Sequence, residues 1–356
     1  MASACPSSLA IAIANAGGLG GCGALMMQPE AIRKWAADVR AGTNGGFQFN
    51  LWIPDPPPKR DAAAEAAVRD FLANWGPPVP PEAGNVVLPD FQAQCDALLE
   101  ASPAFVSSIM GLYPDRFVAR MKTKGIKWFA TVTTVSEAKT AERAGADAII
   151  AQGMEAGGHR SAFDVTQAET RLVGLFSLIS GVVDAVNIPV VATGGIADGR
   201  AIAAALLLGA SAVQIGTAFL RCPEAQIPSA WAYAIGKAAP EDTVITRTMT
   251  GRPPAASPPS MCALRWHRRR HRQRPIPCNA ASPSPCAKRL PKRTMSPGCK
   301  PGPVSPPDWR GQNPPAKSFT ACGTKPKLYW ASCLTVDPRA EPDRNHACVE
   351  GPKRRS

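Results

Sequence analysis

Residues 148–160 read Ala148-Ile-Ile-Ala-Gln152-Gly-Met-Glu-Ala-Gly-Gly-His159-Arg160. The first five form a short apolar run that stops at a polar residue, and a glycine-rich segment follows. A strand that is apolar throughout, rather than alternating, is one covered on both faces, as in a parallel sheet flanked by helices. The segment after it presents His159, which precedes every other histidine of the chain by more than a hundred residues. Imidazole is the side chain whose unperturbed pKa lies closest to neutrality. His159 is therefore the candidate acid–base group of this part of the chain.

The same strand, loop and helix unit recurs on both sides. Upstream, Phe105 to Met110 and Ile126 to Val132 read as strands, with helices over Asp115 to Lys122 and Ser136 to Ala144. Downstream, Glu169 to Val186 reads as one long amphipathic helix. Pro189 to Thr193 is a strand ending in Gly194-Gly195, and Asp198 caps a helix running to Leu208. Ala212 to Ile215 is a further strand, ending in Gly216-Thr217. Nearer the start come a helix over residues 7–16, a glycine-rich strand near 19–24, and a helix from Pro29 to Ala41. Phe47 to Ile53 then reads as a strand, and Ala62 to Trp75 and Phe91 to Ala101 as helices. Seven strands alternate with helices, and an eighth would close a barrel. The expected fold class is α/β, a TIM-type (β/α)8 barrel that is incomplete. Gly18, Gly20 and Gly23 fit G-x-G-x-x-G, but a dinucleotide loop needs a strand before it and a helix after it. Here a helix comes first, so these glycines read as a strand packed tightly against its neighbours.

Composition divides the chain. Residues 1–250 carry 19 Lys/Arg and 22 Asp/Glu, whereas residues 251–356 carry 21 and 5, with 20 of the 37 prolines and 7 of the 11 cysteines. The overall net charge of +13 therefore belongs to the tail. The expected division is a barrel domain over 1–253 and a low-complexity tail over 254–356. The tail has the Arg, Pro, Ala and Ser excess that an out-of-frame reading of GC-rich DNA gives, or it is a disordered segment. Its run Arg265-Trp-His-Arg-Arg-Arg-His-Arg-Gln-Arg274 is the only part suited to nucleic acid. Cys5, Cys22, Cys95 and Cys222 show no CxxC spacing and read as reduced thiols of a cytoplasmic protein. No apolar run reaches the ~18 residues of a membrane span, and no basic segment precedes the first apolar stretch as in a signal peptide. No metal site is expected.

Four segments together resemble nitronate monooxygenases, FMN enzymes once called 2-nitropropane dioxygenases. They are Phe49-Asn50-Leu51, the run from Gln152 to Arg160, Ala192-Thr-Gly-Gly-Ile-Ala-Asp-Gly199 and Ala212-Val-Gln-Ile-Gly-Thr-Ala-Phe219. The resemblance covers about residues 8–253. It implies a barrel with FMN at the C-terminal ends of the strands, contacted by Asn50, Gln152, Gly157, Gly194, Gly195, Gln214, Ile215, Gly216 and Thr217. It implies a nitroalkane or alkyl nitronate as substrate, with oxygen as co-substrate. His159 would take the acidic α-proton or orient the nitronate, and the products would be a carbonyl compound and nitrite.

The residue types suit that task. Barrel enzymes often hold a phosphate on the loops after strands seven and eight, here Gly194-Gly195 and Gly216-Thr217. Glycines let backbone N–H groups approach an anion, and amides such as Asn50 and Gln152 offer both a donor and an acceptor. The plainer readings are tight βα turns for the glycines and a packing role for His159. Glu155 reads as a solvated face or a hydrogen bond within the loop, and Arg160 as surface charge or an attractor of nitronate.

Two departures from the family pattern stand out. No strand ending in Ala-Pro-Met precedes the first helix, which leaves the barrel without its first strand and with two open edges. After Thr248 to Pro253 the expected C-terminal helices do not follow. Alternatives to the leading reading are an FMN-dependent enoyl reductase, a basic nucleic-acid-binding protein acting through its tail, and an inactive remnant. The sequence leaves the oligomeric state open.

Overall fold

A computed structural model describes residues 4–56, 60–74, 76–85 and 87–245, together with the backbone of 254–256. The basic run at 265–274 and the rest of the tail lie outside the described residues. Seven parallel strands form one sheet: β1 (Gly20–Gly23), β2 (Phe47–Trp52), β3 (Phe105–Ile109), β4 (Lys127–Val132), β5 (Ala148–Gln152), β7 (Val190–Thr193) and β8 (Ala212–Gln214). They pair in chain order, so each βα unit adds one strand beside the last. β1 and β8 are the two edges, and the barrel is incomplete, as expected from the strand count.

The helices are α1 (Ser7–Asn15), α2 (Pro29–Gly42), α3 (Ala62–Leu72), α4 (Phe91–Ala101), α5 (Asp115–Thr123), α6 (Val135–Arg143), α7 (Leu175–Val183), α8 (Gly199–Leu207) and α9 (Ser229–Lys237). Their starts have local causes. Pro29 occupies the first turn of α2, and Asp90 caps α4 by accepting from Ala93 N at 2.7 Å. Thr134 caps α6, while the Glu137 carboxylate reaches back to Thr133 N at 2.7 Å. Asp198 caps α8 as expected, accepting from Ala201 N at 2.9 Å.

Alternation sends successive side chains to opposite faces of each strand. On β2, Phe47, Phe49 and Leu51 pack outward; Phe47 and Phe49 meet Trp35 of α2 with ring centroids 5.7 and 5.0 Å apart. Gln48, Asn50 and Trp52 take the other face. At the bottom of the barrel, Ile150, Val191 and Ala212 cluster with Leu19 and Phe129. Toward the C-terminal ends the facing residues become polar. Gln152, Thr193 and Gln214 stand side by side in register on β5, β7 and β8. An apolar floor and a polar upper layer place any polar ligand at the C-terminal mouth.

The outer layer is anchored by Trp128, 1% exposed, whose Nε1 donates to Ser108 Oγ at 3.0 Å. Trp128→Ala removes this packing and leaves the Ser108 hydroxyl without its donor. It is expected to destabilise the fold by about 3–5 kcal/mol, read as a lower urea midpoint with unchanged slope.

Two expectations need correction. The long helix over 169–186 is only α7, Leu175–Val183; residues 165–170 form turns instead. Gly174 is the N-cap of α7, and the Glu155 carboxylate accepts from Leu175 N with both oxygens at 3.0 Å. An acidic group at that end satisfies a donor the helix cannot pair itself, so the helix begins there. His159 is also not on a free loop. Gly158–His159 form a short strand, β6, pairing antiparallel with β10 (Pro254–Ala256), which also pairs with β9 (Val244–Ile245). The glycine-rich β1 behaves as expected, because a side chain on Gly20 would strike Ala10 O at 2.6 Å.

Candidate active site

The loop from Gly153 to Arg160 is held by its own chain. Gln152 Nε2 donates to His159 O at 2.9 Å, and Gln152 Oε1 accepts from Ser161 N at 2.9 Å. The Gln152 amide is thus engaged on both sides within the loop. Met154 N donates to Val173 O at 2.9 Å. Glu155, read from sequence as a solvated face or an intraloop acceptor, instead ties the loop to α7. Arg160 is 1% exposed, which overturns its reading as surface charge, and its Nη1 donates to Gly153 O at 2.6 Å. Burial pushes the Arg160 guanidinium down from its usual range, while Glu137 and Glu155 oppose that shift.

His159 is half-buried and packs its ring against Trp52 at the end of β2, with centroids 4.6 Å apart and planes at 65°. This contact joins the rim of β2 to the loop after β5. Two positions along β2, Asn50 donates from Nδ2 to Ser107 Oγ at 3.0 Å. Trp52 was not foreseen, although it follows Asn50 by two residues and so shares its face.

The other rims close in from the opposite side. A Cβ on Gly157 would fall on Thr217 Oγ1, so the β5 loop lies against the rim of β8. A Cβ on Gly194 would come within 3.0 Å of Ala156 N, and Gly194 has φ +122°, where glycine is favoured. A Cβ on Gly195 would meet Glu155 Cβ at 3.3 Å. Thr193 Oγ1 donates to Gln214 O at 2.9 Å, joining the rims of β7 and β8. Thr217 is exposed and opens a short 3-10 turn, Thr217–Arg221. Ile215 is 4% exposed and packed in the core, so only its backbone can serve a ligand.

Backbone donors remain for an anion at these rims. The N–H groups of Gly194, Gly195 and Gly216 have no acceptor among the described residues. Beside them an open cleft of about 460 Å³ is lined by Gly195, Ala197, Asp198, Arg200 and Ala201. Unpaired backbone donors around glycines suit a phosphate. Among the described residues, no group of histidine, cysteine or acidic side chains could hold a metal ion. Cys5, Cys22, Cys95 and Cys222 are free thiols. Burial pushes Cys22 and Cys95 up to about 12, which makes them poor nucleophiles.

The sequence profile of the nitronate monooxygenase family matches residues 1–258. The chain belongs to this family. Nitronate monooxygenase from Paraburkholderia phytofirmans is 39% identical over 262 residues, covering 71% of this chain and 70% of that protein. The enzyme of the same name from Pseudomonas aeruginosa is 39% identical over 251 residues, covering 69% and 71%. Among solved structures, nitroalkane oxidase from Streptomyces ansochromogenes superposes with a TM-score of 0.65 at 34% identity, covering 74% of this chain and 76% of that one. FabK from Thermotoga maritima gives a TM-score of 0.56 at 33% identity, covering 72% and 68%. As a member of the nitronate monooxygenase family, the chain is an oxidoreductase of a flavin-dependent group with a small-molecule substrate and oxygen as partners. Among its described residues no helix is long and apolar enough to cross a membrane.

Proposed function

We propose that this barrel is an FMN-dependent enzyme that converts alkyl nitronates, with oxygen, to a carbonyl compound and nitrite. The observation that carries the reading is the meeting of rims: the Trp52–His159 contact on one side and the Gly157–Thr217 and Gly194–Ala156 contacts on the other. The catalytic unit in this reading is residues 1–253 together with the Pro254–Ala256 strand that pairs with His159, and the basic run at 265–274 takes no part.

The residues present fit an FMN. The unpaired N–H groups of Gly194, Gly195 and Gly216 and the Thr217 hydroxyl would hold the phosphate. Gly157 and the Ile215 backbone would line the approach, and Asn50 and Gln214 would meet the ring edge. When bound, the flavin supplies the electron acceptor for the nitronate and the route for electrons to oxygen. The chain itself supplies position and proton chemistry. His159 takes the α-proton of a nitroalkane on its imidazole, or orients a nitronate already formed, the task of a positioned general base. Trp52 packs edge-on against the imidazole and forms a wall against which an alkyl group can lie. The hydrogen bonds of Gln152 to His159 O and from Ser161 N, both 2.9 Å, fix the backbone that leaves His159, so that less ordering remains to be done during the reaction.

A second reading, an FMN-dependent enoyl reductase, is favoured by the structural likeness to FabK. The two part on the electron donor. Purified protein loaded with FMN is expected to consume oxygen and release nitrite when given an alkyl nitronate, and to keep its flavin colour when given NADPH under nitrogen. Bleaching by NADPH without nitrite release from nitronate would assign the reductase reading instead.

A further inference from the structure

Arg160 carries a feature that the site described above does not use. Its side chain is 1% exposed, and only Nη1 is paired, with Gly153 O at 2.6 Å. Nε and Nη2 have no hydrogen-bond partner, and neither has the buried hydroxyl of the next residue, Ser161. These two nitrogens form one edge of the guanidinium, a fork of parallel N–H groups that matches a planar group bearing two oxygens. The same edge is in use elsewhere in this protein. Arg60 places Nε and Nη2 on the two oxygens of Glu65, and Arg200 places Nε and Nη2 on Asp198 at 3.1 and 2.7 Å.

At Arg160 no carboxylate takes that place. Glu137 and Glu155 act on it through their charge. The Glu137 oxygens, however, are committed to Thr133 N, Thr133 Oγ1 and Phe163 N. Those of Glu155 are committed to Leu175 N. A buried cation with most of its donors unmet is costly unless an anion fills the gap. β6 ends at His159, and Arg160 is the next residue. His159 turns to Trp52, and Arg160 turns under the loop to Gly153. The fork is enclosed, with both Nε and Nη2 buried.

We infer that Arg160 is the receptor of an interior anion site beneath the His159 loop, built for a small planar anion with two oxygens, of the class of nitrite or formate. Enclosure excludes a bulky substituent, and the fork prefers two oxygens over a spherical halide. Opening of the 153–160 loop admits the ion, and its binding closes the loop by restoring the missing hydrogen bonds. The site needs no flavin and stands or falls separately from the proposed reaction.

The test is thermal unfolding of the full chain, without added flavin, in sodium nitrite or formate against sodium chloride at matched ionic strength. Nitrite and formate are expected to raise the Tm saturably, by about 3–5 °C at ten times the dissociation constant, and chloride is not. Arg160→Lys keeps the charge but loses the fork, and is expected to abolish the difference between nitrite and chloride. Equal Tm values for wild type in nitrite and chloride, or an undiminished nitrite effect in Arg160→Lys, would overturn the site. If the variant does not fold, hydrogen exchange of wild type decides. Nitrite should slow exchange selectively over residues 153–161, and uniform or absent slowing rejects the proposal.

Discussion

Replacing His159 by alanine is expected to slow nitrite release from a nitroalkane by about 10²- to 10⁴-fold, the range for losing a positioned general base. The protein should stay folded and keep its flavin. The imidazole is half-buried and contacts Trp52, whereas the groups offered to the cofactor, backbone N–H groups of Gly194, Gly195 and Gly216 and the side chains of Thr217, Asn50 and Gln214, belong to other residues. Gln152 grips the carbonyl of His159 and the N–H of Ser161, not the imidazole, so the loop keeps its course without the ring. Supplying a preformed nitronate separates the two roles left open for His159. A deficit that disappears with the nitronate marks a base, and one that persists marks an orienting group. Unchanged turnover with both substrates would remove His159 from the mechanism.

Gly194→Val should cost the cofactor instead of the chemistry. The residue has φ +122°, and its Cβ would come within 3.0 Å of Ala156 N, a backbone atom that cannot swing aside. Holding a β-branched residue there costs about 1–3 kcal/mol in backbone strain alone. Relief requires the β7 and β5 rims to separate, which displaces the unpaired donors at Gly194 and Gly195. FMN affinity is expected to fall at least about tenfold, since ~1.4 kcal/mol corresponds to a factor of ten. Fluorescence titration of FMN onto the variant measures this, and an affinity equal to wild type would show that these donors hold no phosphate.

The parallel strands from Phe105 onward were legible in the sequence because they are short, largely apolar and followed within two residues by a glycine or a polar residue. Ala148–Gln152 and its neighbours therefore stand where the pattern put them. Helix ends with a side-chain cap, such as Asp198, were equally readable. What failed were features settled by distant partners. The start of α7 depends on Glu155, twenty residues earlier in the chain, reaching Leu175 N, and no local signal marks it. The pairing of His159 with Pro254 joins segments almost a hundred residues apart. Arg160 read equally as surface charge or as an attractor of nitronate, neither of which implies burial, because arginine is seldom buried; its burial accompanies the loop folding back on Gly153. Trp52 could have been found, since the two-residue period that puts Asn50 at the mouth also puts Trp52 there.

The most direct test of the account is a titration of the purified full chain with FMN, followed by the cofactor's fluorescence and visible spectrum. Convergence of the β2, β5, β7 and β8 rims predicts saturable binding of one FMN per chain, with a perturbed spectrum and competition by inorganic phosphate. A linear response with an unaltered flavin spectrum would mean that those rims form no flavin site, and the assignment of His159 would lose its basis.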